Sequence, residues 1–423
     1  MMKSEIKERI EQVRQGEVPE GFTYTRAMIS PRDWPIVPLN SVLRENKDRN
    51  EEGLFDKEDV LSVSGESGIV NQIKFMGRSY AGESVRNYHV VYPGNIVYTK
   101  SPLKENPYGI IKLNKGDVGL VSTLYAVYHC ESPITGLYLN YYFSVDKYLN
   151  NYLKPLVKKG AKNDMKVNNE DAIKGFIPLP SIAEQEKIAE ILTQCDKIIE
   201  MKKHLVESKN HRKKWLMENL LNPDSGLRLP GFEGEWNYVC LQDIVQVSRS
   251  KVNPTNATKE YNCIELEHIE SNTGKILGWV NSSGQLSTKN KFSKGDLLFG
   301  KLRPYLRKVA LAPFDGVCSG EIWPLKVHGS DINNVYMLYY MKTDSFIAVA
   351  NTTTGTKMPR ADWSLLCDHM LAVPEIREQI AIANVLSTAD REIDFLEQEI
   401  SQWKAKKKAL MQLLLTGIVR VNV

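Results

Sequence analysis

The sequence predicts a mixed α/β (α+β) fold in which two homologous modules are joined by two long helices that pair as an antiparallel, pseudo-two-fold symmetric coiled-coil spacer. Three observations predict it. One stretch of roughly 40 residues occurs twice without a gap, the second copy displaced by 194 positions. Landmarks upstream of each copy recur in the same order, and from Ile182 and Ile376 onward neither copy contains proline or glycine. A repeat this long marks a duplicated domain and not a solenoid.

The repeated stretch begins Pro180, Glu184, Gln185, Ile188, Ala189 and Leu192 in one copy and Pro374, Glu378, Gln379, Ile382, Ala383 and Leu386 in the other. It ends on Lys213, Lys214, Leu216 and Met217 against Lys407, Lys408, Leu410 and Met411. As a helix each copy would measure ~60 Å. In the second copy Leu386, Ala389, Ile393, Leu396, Ile400, Trp403, Lys407, Leu410 and Leu414 fall on a seam with spacings of three and four, as a coiled coil requires. The matching seam of the first copy is Leu192, Ile199, Val206 and Leu216, interrupted by Lys202, Lys209 and Lys213. A rival stripe one residue earlier, Ile191, Ile198, Met201, Leu205 and Trp215, leaves the facing side of this helix open.

The modules precede the helices. Trp34, Val37 and Leu39 answer Trp236, Val239 and Leu241, and Gly94 to Lys100 answers Gly295 to Lys301. Tyr138, Tyr141, Tyr142 and Asp146 answer Tyr336, Tyr339, Tyr340 and Asp344, while Gly160 and Lys162 answer Gly355 and Lys357. Short β-rich runs at 95–99, 120–129 and 296–299 read as strands, and 138–149 and 335–350 as one helix per module. The expected boundaries are an N-terminal segment 1–34, a first module 35–179, a helix and linker 180–235, a second module 236–373 and a C-terminal helix 374–423.

Composition excludes several function classes. The chain has 423 residues, 42% hydrophobic and 25% charged, with net charge +4, ordinary for a globular protein and only mildly basic. Six scattered cysteines form no CxxC pair, so neither a zinc site nor a disulfide framework is expected, and no metal. A charged start and the lack of a run of about 18 apolar residues point away from export and membrane insertion, so a cytoplasmic setting is expected. Neither a P-loop nor HExxH occurs, and no cofactor is expected. Asn106, Pro107 and Tyr108 faintly echo an adenine-methyltransferase motif but lack its second proline, and read as a turn.

Two copies of one module suit a ligand with approximate two-fold symmetry, as duplex DNA has. A DNA reader needs cations for phosphates and side chains that reach base edges. The second module offers Lys301, Arg303, Tyr305, Arg307 and Lys308 just after a predicted strand, and the first offers Lys100 and Lys104 at the matching place. Lys159 and Lys162 pair with Lys357 and Arg360 as a second matched set. Solvated surface charge remains the alternative for each.

Two divergent modules, each followed by a helix opening on PLP-x(3)-EQ-x(2)-IA or its shorter form and closing on KK-x-LM-x(2)-LL, resemble the specificity (S) subunit of Type I restriction–modification systems. The resemblance spans nearly the whole chain and rests on Ile177 to Pro180 with Glu184 and Gln185, and on Val373 and Pro374 with Glu378 and Gln379. It implies a non-catalytic, prokaryotic DNA-recognition subunit whose modules are target recognition domains, each reading half of a bipartite asymmetric sequence. It also implies double-stranded DNA, two methyltransferase subunits and, for cleavage, two restriction/motor subunits as partners. A protein–protein scaffold and an autonomous DNA-modifying enzyme remain as alternatives.

Overall fold

The computed structural model describes residues 2–25, 28–159, 165–257, 259–352 and 358–423. The chain divides into two compact units, residues 1–201 with 400–423 and residues 202–399. Each unit takes the start of one long helix and the end of the other.

The first unit holds a four-stranded antiparallel sheet in the order Leu43–Glu45, Ala126–Cys130, Ile96–Tyr98, Ile111–Leu113. The second holds the same sheet, Val245–Val247, Ile322–Val327, Leu297–Gly300, Val309–Leu311. Even the register agrees: Ile96 faces Leu113 and Val97 faces Lys112, as Leu297 faces Leu311 and Leu298 faces Ala310. Alternation sends Ile96, Tyr98, Ile111 and Leu113 into one core and Val97 into another. A second antiparallel pair, His89–Val91 with Gly119–Val121, recurs as Lys289–Phe292 with Gly316–Cys318.

Two expectations need correction. The run 120–129 is two strands, Gly119–Val121 and Ala126–Cys130, separated by a turn in which the Tyr125 N–H donates to the Ser122 carbonyl. The single helices expected at 138–149 and 335–350 are each two, Pro133–Tyr142 then Asp146–Leu153, and Asn334–Tyr340 then Asp344–Ala350. A hydroxyl residue sits at each break. Ser144 Oγ donates to the Asn140 carbonyl, and Thr343 Oγ1 donates to the Tyr340 carbonyl while accepting the Phe346 N–H that opens the next helix.

The long helices run Ile182–Leu220 and Ile376–Leu414. Their repeated Glu-Gln pair has a physical reason. Gln185 and Gln379 each donate Nε2 to the carbonyl of the proline five residues earlier, Pro180 and Pro374, at 2.8 Å, closing the entry turn. Glu184 accepts from Arg420 and from Trp34 Nε1; Glu378, its side chain only 1% exposed, accepts from both Nε and Nη2 of Arg228 at 2.7 and 2.6 Å. In each unit, therefore, the segment following one helix is clamped to the start of the other.

Pairing within each unit is antiparallel. Lys407 donates to Asp196 at 2.5 Å in the first unit, and Lys213 to Asp390 in the second. Lys209 meets Glu392 at 2.6 Å and Lys202 meets Glu399 at 2.9 Å, so steps up one helix match steps down the other. The lysine-bearing seam is thus the one that faces its partner. Leu192, Ile199, Leu386 and Ile393 are buried, Val206, Leu216, Leu396, Ile400, Trp403 and Leu410 are half-buried, and Met201, Leu205 and Trp215 of the rival stripe are exposed.

The modules join the helices through the same carboxylates. Tyr141 Oη donates to Asp196 at 2.9 Å and Tyr339 Oη to Asp390 at 2.6 Å. Beside each junction lies a buried ammonium supplied from different places. In the first unit it belongs to Lys112, on the sheet, whose Nζ reaches Ser144 Oγ at 3.1 Å. In the second the strand carries Ala310, and the residue aligned with Ser144 is Lys342, whose Nζ donates to the Thr273 carbonyl at 2.7 Å. The ammonium comes from the sheet in one unit and from the break between the two short helices in the other. Burial pulls both ammonium groups down to about 8, with Lys407 and Lys213 respectively the next cause.

Removing Arg228 would leave Glu378 buried and unpaired. Arg228→Ala should therefore cost roughly 3 kcal/mol, with Glu378→Leu in the same chain restoring most of it. Hydrogen exchange along residues 376–386 reads both. A second outcome concerns pH. Lys342 loses its proton near pH 8 when folded but only near 10.5 when unfolded, so its burial penalty is whole below pH 8 and shrinks as pH rises toward 10.5. Stability measured against Lys342→Met should rise between pH 8 and 9.5, and a difference flat in pH would contradict this.

Candidate nucleic-acid interface

Two basic segments of the second module, separate in sequence, come together. Leu302 forms a β-bridge with Arg360. The Arg303 N–H donates to the Pro359 carbonyl at 2.7 Å, and Ala361 N–H to the Lys301 carbonyl at 2.8 Å. The result is one edge built from the end of strand Leu297–Gly300 and the segment before the second long helix. Lys357 lies outside the described residues. Arg360 is exposed and pairs with Glu321 through Nε and Nη2 at 3.1 and 3.2 Å.

The turn on this edge is unusual. Arg303 and Arg307, with φ of 55° and 49°, occupy the left-handed region on either side of one 3-10 turn, Pro304–Leu306. A side chain there costs roughly 1–2 kcal/mol relative to ordinary helical backbone. The strain has a visible effect: it buries Pro304 while Arg303 projects to solvent and Tyr305 stays 49% exposed. The remaining cations of the segment turn inward. Lys308 Nζ donates to the Leu266 carbonyl at 2.8 Å, Arg307 Nη1 to the Lys342 carbonyl at 2.6 Å, and Arg307 Nη2 to Asp344. Lys301 is half-buried.

In the first module Lys104 is exposed, whereas Lys100 is half-buried and donates to Asn169 Oδ1 at 2.6 Å. Asn169 in turn donates to Glu45 at 2.7 Å. Burial lowers the affinity of the Lys100 ammonium for its proton, and Glu45 opposes that. These side chains, with Asn168, Glu170 and Asp171, line a cleft of about 400 Å³. Its amides and carboxylates fall outside the basic loops expected from sequence; the run Asn168 to Asp171, just past the second of those loops, is their signal in the chain. Lys159 lies on the strand Lys158–Lys159, paired with Met165–Lys166, and Lys162 lies outside the described residues. Asn106 to Tyr108 form the turn expected of them, with the Gly109 N–H donating to the Asn106 carbonyl.

The second edge thus presents guanidinium, phenol and carboxylate groups and the first presents ammonium, amide and carboxylate groups, suited to an anionic polymer whose bases offer donors and acceptors. Among the described residues no cluster of three or more His, Cys, Asp or Glu side chains could hold a metal, and no helix is long and apolar enough to cross a membrane.

Comparison with known proteins points the same way. Residues 233–404 match the family model described as Type I restriction modification DNA specificity domain. The chain is 27% identical over 208 residues to the Type I restriction enzyme EcoDI specificity subunit of Escherichia coli, covering 48% of this chain and 46% of that one. It is 22% identical over 433 residues to the Type I restriction enzyme MjaVIII specificity subunit of Methanocaldococcus jannaschii, covering 95% of this chain and 97% of that one. The fold resembles the crystal structure of a Type I restriction–modification S subunit from M. genitalium, with TM-score 0.53, 12% identity and coverage of 92% and 97%.

If the left-handed backbone at Arg303 is strained, Arg303→Gly should match or exceed the parent in stability by up to ~1 kcal/mol, while β-branched Arg303→Val should lose about 1–2 kcal/mol. Thermal unfolding distinguishes the two.

Proposed function

We infer that this chain, which belongs to the specificity subunits of Type I restriction–modification systems, is the DNA sequence-recognition component of such a system and not its catalyst. One observation carries the reading: two modules with the same sheet, register and helix junction bear dissimilar polar edges at equivalent places. A shared frame with unlike edges suits a bipartite, asymmetric target, one half-site per module.

On this reading residues 35–179 and 236–373 are the target recognition domains. Residues 180–235 and 374–423 supply the helices that act as spacer, and residues 1–34 lead in. Lys104, Arg303 and Tyr305 are the foremost candidates for DNA contact, supported by Lys100, Lys159, Lys162, Lys301, Lys357 and Arg360. Double-stranded DNA is the ligand. The protein partners are methyltransferase subunits, two per chain, and, where cleavage occurs, two restriction/motor subunits. The setting is the cytoplasm of a prokaryote. An autonomous enzyme has no support in the sequence motifs, and a protein–protein scaffold leaves the unlike edges without a purpose.

The test is exchange of one module. Replacing residues 35–175 with the matching segment of a relative should change one half of the sequence methylated by the chain with its methyltransferase and leave the other half intact. Change in both halves would contradict independent reading.

A further inference from the structure

Three described non-glycine residues have left-handed φ, namely Asn272, Arg303 and Arg307, and all three meet at one turn. The Asn272 N–H donates to the Leu306 carbonyl at 3.0 Å, inside the 3-10 turn that the two arginines flank. Strained backbone persists only where its surroundings over-determine it. Backbone bonds hold the turn at Arg303 and Leu306, and the Arg307 side chain ties its far end to the next helix. The Arg307 guanidinium bridges the Lys342 carbonyl and the Asp344 carboxylate, and it holds that carboxyl below the usual carboxylate range. Asp344 is itself fixed to the first long helix, through Lys214 Nζ at 3.4 Å and through its own N–H, which donates to Glu218 at 2.9 Å.

The first module fastens its equivalent loop to the equivalent carboxylate with a different donor. Asn106 Nδ2 donates to Asp146 Oδ1 at 2.9 Å, and Asn150 Nδ2 reaches back to the Glu105 carbonyl at 2.9 Å. Asp146 and Asp344 hold the same place after the repeated tyrosine pair, and each opens the next helix. Donors differ, yet the attachment is the same.

We propose that Arg307 is a positioning residue: it latches the Arg303–Tyr305 turn to the helix-start carboxylate of Asp344 and thereby aims Arg303 at a base edge, as Asn106 and Asp146 hold the matching loop of the first module. This rests on the reading of that turn as a DNA contact. A guanidinium already committed to a carbonyl and a carboxylate is not available to read bases. Lysine is no substitute, because a single ammonium lacks the planar fork that spans both acceptors.

The test uses the full chain with its methyltransferase, measuring affinity for a duplex carrying its own target and for duplexes changed at single positions, with unfolding temperature as a control. Arg303→Ala should relax discrimination at one position by about 5- to 100-fold. The latch predicts that Arg307→Ala relaxes the same position, that Arg307→Lys does not restore it, and that Asp344→Asn relaxes it too. The last result has a telling sign, since removing a negative charge would by Coulomb attraction alone tighten binding to DNA. Asp344→Asn also approaches the latch from its acceptor side should Arg307→Ala unfold. If Arg303→Ala relaxes discrimination while Arg307→Ala and Asp344→Asn leave it unchanged, the positioning role is overturned and the reading of the turn survives. Restoration by Arg307→Lys, with a salt slope reduced by about one ion in Arg307→Ala, would make Arg307 a phosphate contact and overturn it equally. A silent Arg303→Ala would overturn both.

Discussion

Asp196 and Asp390 are the points on which each unit depends. Each carboxylate accepts a tyrosine hydroxyl from the adjoining module, Tyr141 or Tyr339, and an ammonium from the opposite long helix, Lys407 or Lys213. These charge-assisted bonds fix the direction of the helix that carries the tyrosine, which packs on the four-stranded sheet. Once the sheet is fixed, so are the ends of its strands, and on those ends hang the polar edges. The placement of each edge therefore depends on two hydrogen bonds to one half-buried carboxylate in each half.

A frame of this kind separates two demands that conflict within a single surface. Rigidity is met by interactions that recur: the sheet register, the Glu184 and Glu378 clamps, and the glutamine ties at Gln185 and Gln379. Variety is met by segments that do not recur. The second module's edge is an exposed guanidinium and phenol on strained backbone, whereas the first module's edge is a cleft of amides and carboxylates around a half-buried lysine. The backbone strain at Arg303 is tolerable because the frame beneath it is over-determined.

The fold was largely legible in the sequence, because duplication makes each half an alignment of the other. Glu184 and Gln185 stood out for that reason, and their bonds explain why they repeat. Other features were hidden by physics that alignment cannot express. The exchange of Lys112 and Ser144 for Ala310 and Lys342 looks like two unrelated mismatches, since only the fold shows that both place an ammonium beside the same junction. The choice between two apolar stripes on the first long helix turned on acids of the other helix, Asp390, Glu392 and Glu399. In the basic turn, Arg303 and Arg307 are alike in type, four residues apart and both left-handed, yet one is exposed and the other bonds into the fold, because the 3-10 turn between them reverses the chain's course. The breaks at Ser144 and Thr343 were readable in principle, from a hydroxyl residue close before an aspartate that begins a helix.

The account is tested most directly by modified-base sequencing of DNA from cells that carry this chain with its methyltransferase, compared with cells from which the chain has been removed. Two specified blocks of unlike sequence separated by an unspecified spacer, methylated only when the chain is present, are the expected result. Methylation that persists without the chain, or a single uninterrupted site, would contradict it.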